Sequence, residues 1–237
     1  MVALTVGLFF VAQFLASAVF ILVALGAGWT DQQLNDWFKS STVVQFGYLL
    51  ITNALIVAGI WQLLKYKKLT FRSIGLRKPV LKDLGMAALG YGCYFLLFLG
   101  ITVIAKALVP SLDLQQEQQL GFKPGQTTGL SLLIAGISLV ILPPIVEELL
   151  MRGFLFTGLR QRLNLVWSAI ITSLVFAVAH LQFGENAPLL WVAALDTFAL
   201  SLVLVYLREK SGGLVAPILL HGLKNLIAFS LLFIFKV

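Results

Sequence analysis

The chain has 237 residues, of which 59% are hydrophobic and only 11% charged, against about 45–50% and about 25% in ordinary soluble domains. A water-soluble fold of this length has no way to hide so much apolar surface, so a soluble enzyme and a disordered chain are both excluded. The net charge of +7 comes from 17 Lys and Arg against 10 Asp and Glu. The basic residues sit in a few short loops, the pattern of membrane orientation, so no nucleic-acid partner is read from them.

The apolar runs are long enough to cross a bilayer. The first is Val2 to Gly28, without a charge. It lacks the basic lead and the short core of a signal peptide and reads as a retained helix. The second is Val43 to Leu64. The third, Leu84 to Val109, carries Gly85, Ala88, Gly90 and Gly92, small residues that let helices approach closely. Cys93 lies in the same run and has no second cysteine to pair with; it reads as a small packing residue. Trp29, Trp37 and Phe38 fit an interfacial aromatic belt.

A polar, glutamine-rich loop covers Pro110 to Gly129. The next apolar stretch runs from Leu130 to Leu159, with Pro143-Pro144 in its middle. Proline has no N–H and clashes with the preceding turn. The stretch is therefore expected to split into a first piece ending at Leu142 and a helix from Pro144 to about Arg162. Further spans are Val166 to Phe183, Leu189 to Leu207 and Leu214 to Phe235, the last two divided by Gly212-Gly213. The expectation is an all-α, polytopic membrane helix bundle. It has about seven transmembrane helices and a proline-broken segment before the functional helix. Residues 1–128 would form the amino-terminal helices and loops, and 129–237 the functional bundle, within one membrane unit.

Basic residues between Lys65 and Lys82, at Arg160 and Arg162, and at Arg208 and Lys210 fall on one side of seven crossings, which reads as cytoplasmic. The opposite loops hold only Lys39, Lys106 and Lys123. This places the amino terminus inside and the carboxyl end, with Lys236, outside. The expected location is the plasma membrane of a prokaryote.

Charged groups inside spans are costly, about 2.5–3.5 kcal/mol each at the centre on insertion scales. Here they accumulate in the second half: Glu147, Glu148, Arg152, His180, Asp196, His221, Lys224 and Asn225. Counted from the basic turns at a helical rise, Glu148 lies at about 22 Å, His180 at about 25 Å, His221 at about 14 Å and Asn225 at about 20 Å. Separate segments thus place these groups in one layer. Glu148 and Arg152 are four apart and face one side, as are His221 and Asn225. Glu147 points about 100° away from Glu148. Arg152 would hold one glutamate ionised, leaving the other to exchange a proton. Phe176, one turn before His180, would wall the site. Asp196 and Lys224 read as a structural pair of opposite charge on the last two spans.

Three motifs follow in order on successive spans. Glu147-Glu148-Leu149-Leu150-Met151-Arg152-Gly153 matches EExxxRG, Phe176 to His180 matches FxxxH, and His221 to Asn225 matches HxxxN. Together they resemble the CAAX-protease and bacteriocin-processing (CPBP, or Abi) family of intramembrane endopeptidases, which includes the type II CAAX prenyl endopeptidases. The resemblance covers about residues 125–230. The segment Phe71 to Leu76 is similar to the family's lead-in. The resemblance implies that Glu147 and His180 activate a water. It gives His221 and Asn225 to the tetrahedral oxyanion, with Glu148 and Arg152 as the supporting pair. The substrate would be a peptide or protein, lipidated if the activity is of the CAAX type, taken from the bilayer. Glu147, His180 and His221 are also zinc-ligand types. HExxH is absent, however, and a metal-free glutamate mechanism with no cofactor is the favoured reading. A non-catalytic immunity or scaffold protein and a small-solute transporter are the alternatives.

Overall fold

The computed structural model describes residues 1–116, 121–122, 129–181 and 189–235. Lys123 and Lys236, counted above with the outer loops and carboxyl end, lie outside the described residues, as does the end of the span read to Phe183. Among the described residues there are helices and no strand. The helices are α1 (Val2–Gly26), α2 (Asp31–Ser40), α3 (Thr42–Tyr66), α4 (Leu81–Leu108), α5 (Leu130–Arg160), α6 (Leu165–Val178), α7 (Trp191–Ser211) and α8 (Val215–Phe235). All except α2 and α6 are long and apolar enough to cross a membrane. The all-α polytopic class therefore holds.

Helix α5 corrects one expectation. Pro143 and Pro144 do not break it; Leu130–Arg160 is one helical run. The relief lies just upstream, where Ile137–Ile141 is π-helical and the Leu142 N–H reaches back to the Ile137 carbonyl. A widened turn takes up the proline rings and lets the helix continue. A second π-helical stretch, Leu149–Phe156, follows directly after Glu148. It departs from the regular α spacing assumed for Glu148 and Arg152. Helix α2 was not read as a helix from the sequence. Its Thr30 cap accepts from the Gln33 N–H at 3.3 Å, and Gln33 Oε1 accepts from the Thr30 N–H at 2.8 Å. This reciprocal pair satisfies two otherwise orphaned donors.

The chain forms two compact units. One comprises Ala3–Thr70, Leu120–Leu150 and Gly222–Val237. In it α1 turns Ala12, Ala16, Phe20 and Ala24 inward at a spacing of four, while Phe10, Phe14 and Leu22 face outward. Helix α1 comes so close to α3 that a Cβ on Gly59 would strike Leu8. Phe122, Ala135, Phe229 and Phe233 form a core beneath them. Trp29, Trp37 and Phe38 make edge contacts with one another and with Phe20 and Tyr48, around α2.

The other unit comprises Met1–Val2, Phe71–Gln119 and Met151–His221. Its core joins α4, α7 and the start of α8 through Ala87, Tyr94, Leu200, Leu204, Ala216 and Leu220. Of the small residues expected at helix contacts on α4, only Gly90 is one, with Leu207 and Leu220 against it. Gly85 and Gly92 have open space beside them, and Ala88 is exposed while its neighbour Ala87 is buried. Inward positions follow Asp83, Ala87, Gly90 and Tyr94, one helical stripe. Cys93 lies off that stripe and is exposed, so the packing role read for it does not hold.

Within this unit three basic segments share one end. Arg160 Nη2 meets Glu209 Oε1 at 3.0 Å, and Arg77 Nη2 donates to the Ser211 carbonyl at 3.2 Å. Helix α6 therefore carries the chain away from that end and α7 returns it. Its 14 residues amount to about 21 Å at 1.5 Å per residue, short of the ~30 Å hydrocarbon core.

Candidate functional site

Each motif residue has a distinct local setting. Glu147 and Glu148 end the regular α-helical turn after the two prolines. Glu148 is fully buried, whereas Glu147 is half-buried. Arg152 is also fully buried, within the π-helical stretch. Gly153 closes the motif because space runs out there. An added Cβ would lie 3.2 Å from Ile74 Cδ1 and 3.3 Å from Leu214 Cδ1. Ile74 belongs to the 3₁₀ turn Phe71–Ile74, the lead-in segment singled out in the sequence. Gly75 next to it has φ +98° and its carbonyl accepts from the Leu214 N–H at 2.9 Å.

Phe176 organises the unit that holds Arg152, His180 and His221. Its ring is 1% exposed. The Arg152 guanidinium carbon lies 4.6 Å from the ring centroid. The His180 ring stands edge-on at 4.6 Å and the His221 ring at 5.9 Å. One aromatic side chain thus gathers residues of all three motifs. A cation over a desolvated ring face contributes up to about 2 kcal/mol, and each edge contact about 0.5–1.5 kcal/mol.

His180 stands in the turn just past the end of α6. Its Nδ1 lies 2.8 Å from the Phe176 carbonyl. A carbonyl only accepts, so Nδ1 carries a proton, and in the neutral form of the ring the lone pair is on Nε2. This is the tautomer a water-activating histidine needs. The i−4 carbonyl at the helix end sets this orientation.

Asn225 belongs to the other unit, as do Glu147 and Glu148. Its Nδ2 donates to the Leu139 carbonyl at 2.9 Å. That carbonyl has no helical donor in either register. Its i+4 partner is Pro143 and its i+5 partner is Pro144, neither of which has an N–H. A carbonyl held partly away from solvent needs a partner, and the Asn225 amide supplies it. The second Nδ2 proton is left for another acceptor. Asp196 accepts a short hydrogen bond from the Tyr94 hydroxyl, a partner the sequence reading missed. Tyr94 on the inward stripe of α4 was the available signal.

Among the described residues no group of three or more His, Cys, Asp or Glu is gathered to hold a metal ion.

These features define a multi-pass membrane protein with its polar motif residues on α5, just past α6 and on α8. Residues 129–227 match the family model for type II CAAX prenyl endopeptidase Rce1-like proteins, so that segment is similar to this family. A protein of Escherichia coli, described as an uncharacterized 24.3 kDa protein, is 33% identical over 132 residues. The match takes in 55% of this chain and 57% of that protein, so it spans a little over half of the relative's length. No solved structure matches.

Proposed function

We propose that the chain is an intramembrane endopeptidase that hydrolyses a peptide bond of a protein or peptide substrate. Glu147 takes the proton of a water that attacks the scissile carbonyl, and the Nε2 lone pair of His180 orients the same water. General-base assistance of this kind contributes typically about 10²–10⁴-fold. His221 and the remaining Nδ2 proton of Asn225 donate to the oxyanion, each such donor contributing about 2.7–4 kcal/mol. Glu148 and Arg152 support the arrangement from buried positions. Glu147 then returns its proton to the leaving amine. The substrate reaches the site from the bilayer and carries a lipid in the CAAX branch of this reading. The protein resides in the plasma membrane of a prokaryote with its basic loops in the cytoplasm.

The observation that carries the reading is the convergence of Arg152, His180 and His221 on the Phe176 ring, in the segment that matches the Rce1-like family. The test is hydrolysis of a fluorogenic reporter peptide by purified protein, before and after treatment with chelator. Turnover that survives the chelator is expected. Activity lost on stripping and restored only by stoichiometric zinc would replace Glu147 and His180 as sole activators of the water. No turnover on any of a panel of prenylated and unmodified peptides would favour an immunity or scaffold role.

A further inference from the structure

A second cavity, of 270 Å³, lies in the unit built on α4 and α7, at the end where those helices meet. It is lined by Arg77, Val80, Lys82, Asp83, Met86, Lys210 and Ser211. None of these residues has a part in the proposed chemistry. Arg77 forms its wall and has its donors committed. Nη1 donates to the Lys78 carbonyl at 3.0 Å and to Asp83 Oδ2 at 2.8 Å. Nη2 donates to Asp83 Oδ1 at 2.5 Å and to the Ser211 carbonyl. The hydrogen bonds it donates to the Asp83 carboxylate hold the guanidinium above its usual pKa range, so it stays charged. Asp83, the only acidic lining residue, is 1% exposed and engaged by Arg77 and by the Val80 N–H at 2.9 Å. Lys82 and Lys210, by contrast, are exposed at the rim.

The cavity therefore carries three cations against one neutralised carboxylate. Lys82 is the second residue of α4, and Lys210 the last but one of α7. Both helices are long and apolar enough to span, so their ends stand at headgroup level. Nearby surface is apolar: Leu81 is 87% exposed, Leu84 60% and Tyr206 56%. The Lys210 ammonium lies 5.8 Å from the centre of the Tyr206 ring. Orientation alone asks for cations somewhere in the loops. It does not ask that lysines from two helices, 128 positions apart in the chain, line one cavity together with Val80 and Met86. Basic pockets between helices at the membrane surface bind anionic headgroups.

We propose that this cavity binds the phosphodiester headgroup of an anionic phospholipid between Lys82 and Lys210, with the acyl chains on the adjoining apolar surface. The lipid then ties α4 to α7 at that end.

The test uses the full-length protein in detergent with phosphatidylglycerol, phosphatidylcholine or inorganic phosphate added. Phosphatidylglycerol is expected to raise Tm by about 3–6 °C at roughly ten times its Kd. Phosphatidylcholine and inorganic phosphate should not. The double variant Lys82→Gln/Lys210→Gln should lose the rise. Lys67→Gln/Lys68→Gln, which removes the same charge outside the cavity, should keep it. Equal shifts with both lipids, or equal loss in both double variants, would overturn the proposal. A full shift with inorganic phosphate would assign the cavity to a free anion instead of a lipid. Native mass spectrometry of the wild type supplies a readout independent of the variants. Preferential retention of phosphatidylglycerol over phosphatidylcholine is expected, and equal retention would count against the site.

Discussion

At the scale of single residues, burial separates two neighbours. Glu147 is half-buried and Glu148 is fully buried, although they are adjacent and chemically identical. Phe176 carries more of the site than a wall would. Phe176→Leu is expected to lower stability by roughly 2–3 kcal/mol, because Arg152, His180 and His221 all lose their contact with the ring. Reporter turnover should fall at least tenfold while a fluorescence-monitored melt still shows a cooperative transition. A Phe176→Leu protein with unchanged melting and turnover would mean that the ring only fills space. The three motifs made these residues legible in the sequence. The Nδ1–H tautomer of His180 was not legible, because it depends on where α6 ends.

At the scale of elements, the proline pair and Asn225 act together although 80 residues separate Asn225 from Ile145, the first residue beyond that pair. The prolines leave the Leu139 carbonyl without a helical donor, and Asn225 fills it. Asn225→Ala should cost about 1–3 kcal/mol, the penalty of an unsatisfied, partly buried acceptor. Pro143→Ala restores an N–H to the i+4 position and should shrink that penalty. A double-mutant cycle on Tm is therefore expected to show coupling of at least about 0.5 kcal/mol. Additive effects would show that the carbonyl does not link the two. Pro143→Ala should also lower kcat with little change in KM, since Asn225 is released from its anchor. The sequence reading foresaw that the prolines must perturb the helix but expected a break. Nothing in local propensity signals a π turn, which is the less common way to absorb a proline. Gly153 makes a similar point. Its neighbours Ile74 and Leu214 come from other parts of the chain, so its need for a bare Cα is a tertiary fact. Gly153→Val should destabilise by about 1–3 kcal/mol through overpacking, and Gly153→Ala by less; thermal melts in one detergent would compare them.

At the scale of the molecule, the long apolar spans were legible directly because lipid demands length and apolarity. Their bounds shift by a few residues at most. The short helix α6 is the exception in length, and its direction follows from Arg160 meeting Glu209 and Arg77 meeting Ser211 at one end. The same contacts bring together basic segments that the charge count had assigned to one side. Lys78→Cys and Arg162→Cys, each in a Cys93→Ser background, should be protected in intact cells from a membrane-impermeant thiol reagent. Lys39→Cys should react. Reaction at all three positions alike would contradict the topology. Cys93 has to be replaced first because it is exposed.

The central claim is that Glu147 is the base for peptide hydrolysis, and Glu147→Gln tests it most directly. The substitution preserves size and hydrogen bonding but removes the basic oxygen. The purified variant should melt within about 2 °C of wild type, the shift of a sub-kcal/mol change. Its turnover of the reporter peptide should fall by about 10²-fold or more. Wild-type turnover in a folded Glu147→Gln protein would contradict the account.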